Sequence, residues 1–73
     1  MIDSLIFYNQ AGKGDIHFSR GFCNYTQRLL KPTTCTYYHC FHPTSFRDIC
    51  ENASLKDMPD PRDTLVLDTW IGN

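Results

Sequence analysis

The sequence has no long apolar run and no excess of charge of either sign. Within its 73 residues no apolar stretch approaches the roughly 18 residues of a membrane span, and the first four residues lack the basic and apolar segments of a signal peptide. Seven basic and eight acidic residues give a net charge of −1, so no general attraction to nucleic acid is expected. These absences predict one small cytoplasmic domain with no membrane span and no nucleic-acid partner.

Cysteine pairs with the usual spacing of zinc sites are also lacking. The separations Cys35-x4-Cys40 and Cys40-x9-Cys50 match none of the closely spaced cysteine pairs of structural zinc sites, so no metal and no cofactor is predicted. Without an export signal, we expect all four cysteines, Cys23 included, to be small reduced hydrophobic residues. The alternative is a small Cys/His binding module without enzymatic activity, stabilised by a metal or by disulfides. A degenerate reading frame without a selected function is a third possibility.

The common phosphate-binding loops are missing as well. In the dinucleotide fingerprint a third glycine would stand at His17, and no acidic residue ends the predicted second strand. Lys13 is followed by Gly14 rather than by Ser or Thr, which does not fit a P-loop. A nicotinamide-dependent dehydrogenase and a P-loop ATPase are therefore not expected.

The sequence does contain an apolar strand that runs through a glycine turn into an amphipathic helix. Ser4–Tyr8 is typical of a buried parallel strand. Gly12 and Gly14 are expected to supply backbone angles that other residues avoid, and Asp15 is suited to cap a helix of about 16 residues. The inward stripe of this helix is predicted to be Ile16, Ser19, Phe22, Cys23, Thr26, Leu29 and Leu30.

The rest of the chain predicts two more strands and a short helix. Cys35–Cys40 favours a strand, and the spacing of Phe46, Ile49 and Cys50 indicates a short helix. The polar stretch Asn52–Asp63 is predicted to be a loop, and Thr64–Trp70 the third strand.

Short connections between these elements predict an α/β fold with right-handed crossovers. We expect a three-layer Rossmann-like βαβαβ unit whose three-stranded parallel sheet has the order 3-2-1. Because an apolar strand comes last and no helix follows to cover it, the unit is expected to be truncated.

Ligands of such sheets bind beyond the carboxyl ends of the strands, which here are residues 9–15, 39–42 and 70–73. A carboxylate at this edge can accept a proton from a substrate hydroxyl, which makes Asp15 the candidate general base, although it could also serve only as a helix cap. Lys13 and Arg20 could bind anions or be solvated surface charges, and Trp70 could stack on a sugar or belong to the core. The predicted substrate-binding residues are Asn9, Gly12, Lys13, Gly14, Ser19, Arg20, His39 and Trp70.

Several short motifs in order along the chain resemble a known family. They are Tyr8-Asn9, Gly14-Asp15, Ser19-Arg20, Tyr38-His39, Asp48-Ile49 and Asp68-Thr69-Trp70-Ile71-Gly72. This order resembles the N-terminal part of glycosyltransferase-like proteins of microbes and viruses. More distantly, the Gly14-Asp15-Ile16 turn is similar to the Gly-Asp-Val turn of the heptosyltransferases, which have the two-domain GT-B fold. The chain departs from the pattern at Asp68 and Asn73, where Asn and Gln are expected.

The resemblance implies that residues 1–73 are part of an N-terminal, acceptor-side Rossmann-like domain of a GT-B-like protein whose C-terminal donor domain is absent. The complete enzyme would transfer a sugar from a nucleotide-sugar donor to a hydroxyl of a sugar or glycan acceptor, with inversion. Carry-over from the family makes Asp15 the catalytic base. Because the donor would bind only through the missing domain, we expect the 73-residue piece to be inactive by itself.

Overall fold

The computed structural model describes residues 3–59 and 65–68, which form a parallel sheet with two helices packed beside it. The elements are β1 (Ser4–Tyr8), α1 (Lys13–Phe18), α2 (Arg20–Leu30), β2 (Thr34–His39), β3 (Glu51–Ser54), a single turn of 3-10 helix (Leu55–Asp57) and β4 (Leu65–Asp68). The predicted α/β class and the parallel sheet are thus confirmed. No helix among the described residues is long and apolar enough to cross a membrane.

The strands have the order β3-β2-β1-β4, and each neighbouring pair is parallel. β4, the described part of the strand predicted at Thr64–Trp70, lies beside β1 with Leu5 opposite Leu65. The order 3-2-1, which requires this strand to lie beside β2, is not confirmed. The physical reason is that the additional strand β3 occupies that edge of β2.

The strand β3 lies within a segment whose sequence predicts a loop. Polar residues dominate Asn52–Asp63, yet Asn52 to Ser54 belong to β3 and the 3-10 turn follows directly. β3 contains no β-branched and no aromatic residue, so strand propensity does not reveal it. Its pairing with β2, which is not a local property, determines its conformation.

The predicted single helix is interrupted at Ser19. The Ser19 N–H donates to the carbonyls of Asp15 and Ile16, both at 3.1 Å, and its Oγ donates to the Ile16 carbonyl at 2.7 Å. A hydroxyl that bonds the preceding turn in this way bends a helix. The Ser19 Oγ also lies 3.0 Å from the Tyr37 Oη on β2. Since the Ser19 proton is directed at Ile16, the Tyr37 hydroxyl is the donor, and the bond ties the helix junction to the sheet.

The hydrophobic core lies between the helices and one face of the sheet. Its buried members are Leu5, Phe7, Ile16, Cys23, Tyr37, Phe46 and Ile49. The predicted inward stripe is correct for Ile16, Ser19, Cys23 and Thr26, but wrong for Phe22 and Leu29, which are 49% and 65% exposed. The buried stripe of α2 is therefore narrower than its sequence spacing predicts.

The short helix predicted around Phe46 is a run of turns over residues 43–49. The Ser45 N–H donates to His42 and the Ile49 N–H to Phe46, both at 3.0 Å and both over three residues. The side chain of Asn52 bonds both the N–H and the carbonyl of Phe46. Backbone groups that a regular helix would use are thereby bonded to a side chain instead.

Candidate functional site

Two segments leave the sheet side by side where β1 and β2 end. We call residues 9–15 the β1 exit and residues 39–50 the β2 exit. Tyr8 pairs with Tyr38, and the Asn9 N–H donates to the Tyr38 carbonyl at 3.2 Å, so Asn9 and His39 are neighbours across the strands. Both side chains are fully buried. The structure therefore brings these two predicted site residues together at one edge of the sheet.

Asn9 shapes the β1 exit from within. Its Oδ1 accepts a hydrogen bond from the Ala11 N–H at 2.7 Å, the geometry of an Asx turn. Gly12 follows as the N-cap of α1, and its carbonyl accepts the N–H groups of Asp15 at 3.1 Å and Ile16 at 3.4 Å. Asn9 thus directs the chain from the sheet into α1.

The two glycines of the β1 exit are not required by backbone conformation. Gly12 has φ −80° and ψ 173°, no described glycine has a positive φ, and a Cβ at Gly12 or Gly14 would meet no atom within 4 Å. The expectation that these glycines supply unusual backbone angles is therefore wrong. They instead leave open space above the backbone at this point of the sheet edge.

Asp15 is an exposed residue in the first turn of α1, and the predicted N-cap position belongs to Gly12. Among the described residues, no hydrogen-bond donor or cation is paired with its carboxylate. Lys13, also exposed, places its Nζ 5.5 Å from the centroid of the Phe41 ring, a cation–π contact that joins the two exits. The β1 exit therefore carries one exposed carboxylate and one exposed ammonium group.

His39, at the start of the β2 exit, is bonded at both ring nitrogens. The Phe41 N–H donates to Nδ1 at 3.1 Å, so Nδ1 carries no proton and Nε2 is the donor. Nε2 donates to the Oδ1 of Asn52 at 2.9 Å. The Phe46 ring lies edge-on with its centroid 5.1 Å from that of the imidazole. His39 therefore connects the β2 exit to Asn52, and both of its ring nitrogens make hydrogen bonds within the protein.

Asn52, which sequence reasoning missed, uses every hydrogen-bonding position of its amide. Its Oδ1 accepts from His39 and from the Phe46 N–H, both at 2.9 Å, and its Nδ2 donates to the carbonyls of Phe46 at 3.2 Å and Cys50 at 2.7 Å. The only hint in the sequence is that an asparagine stands where the apolar turn leads back into the sheet. Buried backbone groups in such a turn need hydrogen-bond partners, and an asparagine side chain can supply them. We call the hydrogen-bonded group of His39, Phe41, Phe46, Cys50 and Asn52 the His39–Asn52 network.

Ser19 and Arg20 lie at the helix junction rather than at the strand exits. Ser19 is buried against Tyr37, while Arg20 donates to both carboxylate oxygens of Asp48 and through Nη1 to the Nδ1 of His17 at 3.1 Å. The hydrogen bond from Arg20 lowers the pKa of Asp48. These contacts join the helices to the β2 exit. As ligand-binding residues Ser19 and Arg20 stay predictions, and Trp70 lies outside the described residues.

The cysteines are free thiols in this structure. Burial raises the pKa of Cys23 to about 12, whereas Cys40 is exposed. Within residues 3–59 and 65–68, no three His, Cys, Asp or Glu side chains are grouped so that they could hold a metal ion. The alternative of a metal-stabilised module therefore has no ligand set in this part of the chain.

Comparison of the chain with protein-family models, with curated proteins and with solved structures finds no match. The resemblance to glycosyltransferases consequently depends on the ordered sequence motifs alone.

Proposed function

We propose that the chain is the acceptor-side part of a GT-B-like glycosyltransferase, in which the β1 exit binds the acceptor sugar. The observation that carries this proposal is the exposed Asp15 carboxylate beside the open space over Gly12 and Gly14. Both lie beyond the carboxyl end of a parallel strand, where α/β sheets bind ligands. In this proposal the sheet belongs to a three-layer Rossmann-like domain in the cytoplasm, and a second domain holds the nucleotide-sugar donor.

Asp15 is the general base of the proposed reaction. As the acceptor oxygen forms a bond to the anomeric carbon, the bond from that carbon to the diphosphate oxygen breaks and the configuration inverts. The proton of the acceptor hydroxyl passes to the Asp15 carboxylate. The diphosphate leaves with the electron pair and is stabilised by the donor-binding domain.

The remaining predicted residues divide into contact and positioning roles. Gly12, Lys13 and Gly14 are exposed at the β1 exit, so they can contact the acceptor. Asn9 and His39 are buried and bonded within the protein, so they position the turn and its neighbour. Ser19 and Arg20 fix the far end of α1, and Trp70 remains a predicted stacking residue.

An NMR titration of the full ¹⁵N-labelled chain tests the proposal. Glucose, galactose, mannose and N-acetylglucosamine are added separately up to their solubility limits. We expect at least one of them to shift the amide signals of residues 11–15 while those of Phe46 and Asn52 stay in place. The absence of any shift at the β1 exit with all four sugars would contradict the proposed acceptor site.

The substitution Asp15→Asn tests the contribution of the carboxylate to sugar binding, apart from that of the rest of the turn. Loss of a charged hydrogen bond is expected to weaken sugar binding about tenfold. The matched control is Asp3→Asn, because Asp3 is an exposed carboxylate at the opposite end of β1. Equal affinities for both variants would remove Asp15 from the site, and sugar transfer by the 73-residue chain would disprove the need for a second domain.

A further inference from the structure

Two half-buried cysteines face each other across neighbouring strands. The parallel register pairs Thr36 with Glu51, which places Cys35 opposite Cys50 one position earlier. Both side chains pack against the same hydrophobic core and so lie on the same face of the sheet. Neighbouring strands are about 4.8 Å apart, within the roughly 4.4–6.8 Å between Cα atoms that a disulfide spans.

We propose that Cys35 and Cys50 are a redox-active dithiol, which forms an intramolecular disulfide by exchange with a low-molecular-weight disulfide such as glutathione disulfide. This site is independent of the proposed sugar-binding site at the β1 exit, because Cys35 lies at the beginning of β2 and Cys50 directly precedes β3, at the opposite end of the strands.

The interaction between the two thiols determines which one reacts first. A hydrogen bond from the Cys50 thiol lowers the pKa of Cys35, and the same interaction together with burial raises the pKa of Cys50. Because the thiolate is the nucleophile, Cys35 attacks the external disulfide.

The exchange then proceeds in two balanced steps. The Cys35 sulfur bonds to one glutathione sulfur, the glutathione S–S bond breaks, and the first glutathione leaves as a thiolate that takes up a proton. Cys50 loses its proton to solvent and attacks the Cys35 sulfur, which expels the second glutathione as a thiolate that is then protonated. One external disulfide is thereby reduced to two thiols, while the protein dithiol is oxidised to a disulfide.

The other two cysteines provide internal controls. Cys23 is fully buried, its Sγ donates to the Ser19 Oγ over 3.9 Å, and its pKa is raised to about 12, so it stays protonated. Cys40 is exposed but follows the other end of β2, roughly 16 Å along the strand from Cys35. Cys40 can therefore form a mixed disulfide with glutathione, but not an internal disulfide with Cys35 in this fold.

The test is oxidation of the full native chain by glutathione disulfide, followed by alkylation of the remaining thiols under denaturing conditions and peptide mapping without reduction. We expect a Cys35–Cys50 cross-linked peptide from monomeric protein and alkylated Cys23. Cys40→Ser should form the same cross-link. Cys50→Ser should stop at a glutathione adduct on Cys35, whereas Cys35→Ser should leave Cys50 as an alkylated thiol because the attacking thiol is gone. Recovery of Cys35 and Cys50 as alkylated thiols, or a cross-link to Cys23 or Cys40, would overturn the proposal.

Thermal unfolding provides a second readout that needs no variant. Closing the loop between Cys35 and Cys50 removes entropy from the unfolded chain, so the Tm of the oxidised protein should rise by roughly 10–20 °C. A reducing agent should reverse this rise. A disulfide that lowers the Tm would show that the bond strains the native structure, and this would also overturn the proposal.

Discussion

The β1 exit and the β2 exit lie at the same edge of the sheet, but their polar groups differ in how they are bonded. In the β2 exit, His39 is bonded at both ring nitrogens, and Asn52 uses all its hydrogen-bonding positions on the exit and on His39. In the β1 exit, Asp15 and Lys13 are exposed beside two glycines that leave open space. The β2 exit is therefore stabilised by His39 and Asn52, while the β1 exit presents Asp15 and Lys13 to solvent.

This difference shows that position at the carboxyl edge of a sheet does not by itself make a residue a ligand-binding candidate. His39 is at that edge, yet its hydrogen bonds are completed within the protein. Asp15 is one helical turn from the junction that buries Ser19, yet its carboxylate is exposed. The number of internal partners distinguishes a structural polar group from one that can bind a ligand.

The largest expected effect is that of Asn52→Ala, which breaks the His39–Asn52 network. It leaves buried donors of His39 and Phe46 without their acceptor, so the free energy of unfolding should fall by about 2–4 kcal/mol. Urea denaturation followed by circular dichroism measures this loss. Asn24→Ala, which replaces an asparagine on α2, is the control and should change stability little. Equal midpoints for both variants would mean that the β2 exit is not held by this network.

Tyr37→Phe tests the bond between the sheet and the helix junction. Removing the hydroxyl takes away the phenolic donor to the Ser19 Oγ and should lower the free energy of unfolding by about 1 kcal/mol. Tyr25→Phe is the matched control, because Tyr25 is 64% exposed. If the two variants unfold at the same urea concentration, the Ser19–Tyr37 bond contributes nothing to the fold.

Gly14→Ala tests whether the open space at the β1 exit receives the acceptor sugar. Gly14 is helical, and alanine there should stabilise the protein by about 0.5–1 kcal/mol because nothing lies within 4 Å of the added Cβ. The same methyl group fills the open space, so sugar binding in the NMR titration should weaken. A variant that gains stability and keeps full affinity would show that the acceptor does not approach Gly14.

The smallest expected effect is that of Asp48→Asn, which removes the ion pair with Arg20. The side chains are 34% and 57% exposed, so the loss at neutral pH should stay below about 1 kcal/mol. Arg20 lowers the pKa of Asp48 from its ordinary value of 3.8, so the stabilisation is present above that pH and disappears as the pH falls through the lowered pKa. The difference between the denaturation curves of wild type and variant should therefore be largest at pH 7 and should shrink as the pH is lowered below 3.8. A difference that is independent of pH would assign the effect to another cause.

Local sequence patterns predicted the elements whose residues carry strong propensity. Ser4–Tyr8 is found with the predicted bounds, and β2 begins and ends one residue earlier than predicted. The features that the sequence did not predict depend on pairs that are distant in the chain. Ser19 interrupts the helix beside Tyr37, which is 18 residues away, and Asn52 bonds His39 over 13 residues.

The same limit applies to the candidate site. The sequence places Asn9, Asp15 and His39 near strand ends, and two of these ends are adjacent in the sheet. His39 is closed to ligands because it is bonded to Asn52 and to the Phe41 N–H. Local periodicity in the sequence cannot predict these partners. β3 is an example at the level of the fold, because Glu51–Ser54 has the composition of a loop and becomes a strand only by pairing with β2.

Amide hydrogen exchange, measured by NMR on the full chain, tests the contrast between the two exits most directly. The N–H groups of Phe41 and Phe46 donate to His39 and Asn52, so they should exchange as slowly as amides of the central strand β1. Those of Lys13 and Gly14, in the first turn of α1, have no acceptor within the helix and should exchange rapidly. Equal rates at the two exits would contradict the account of one closed and one open strand exit.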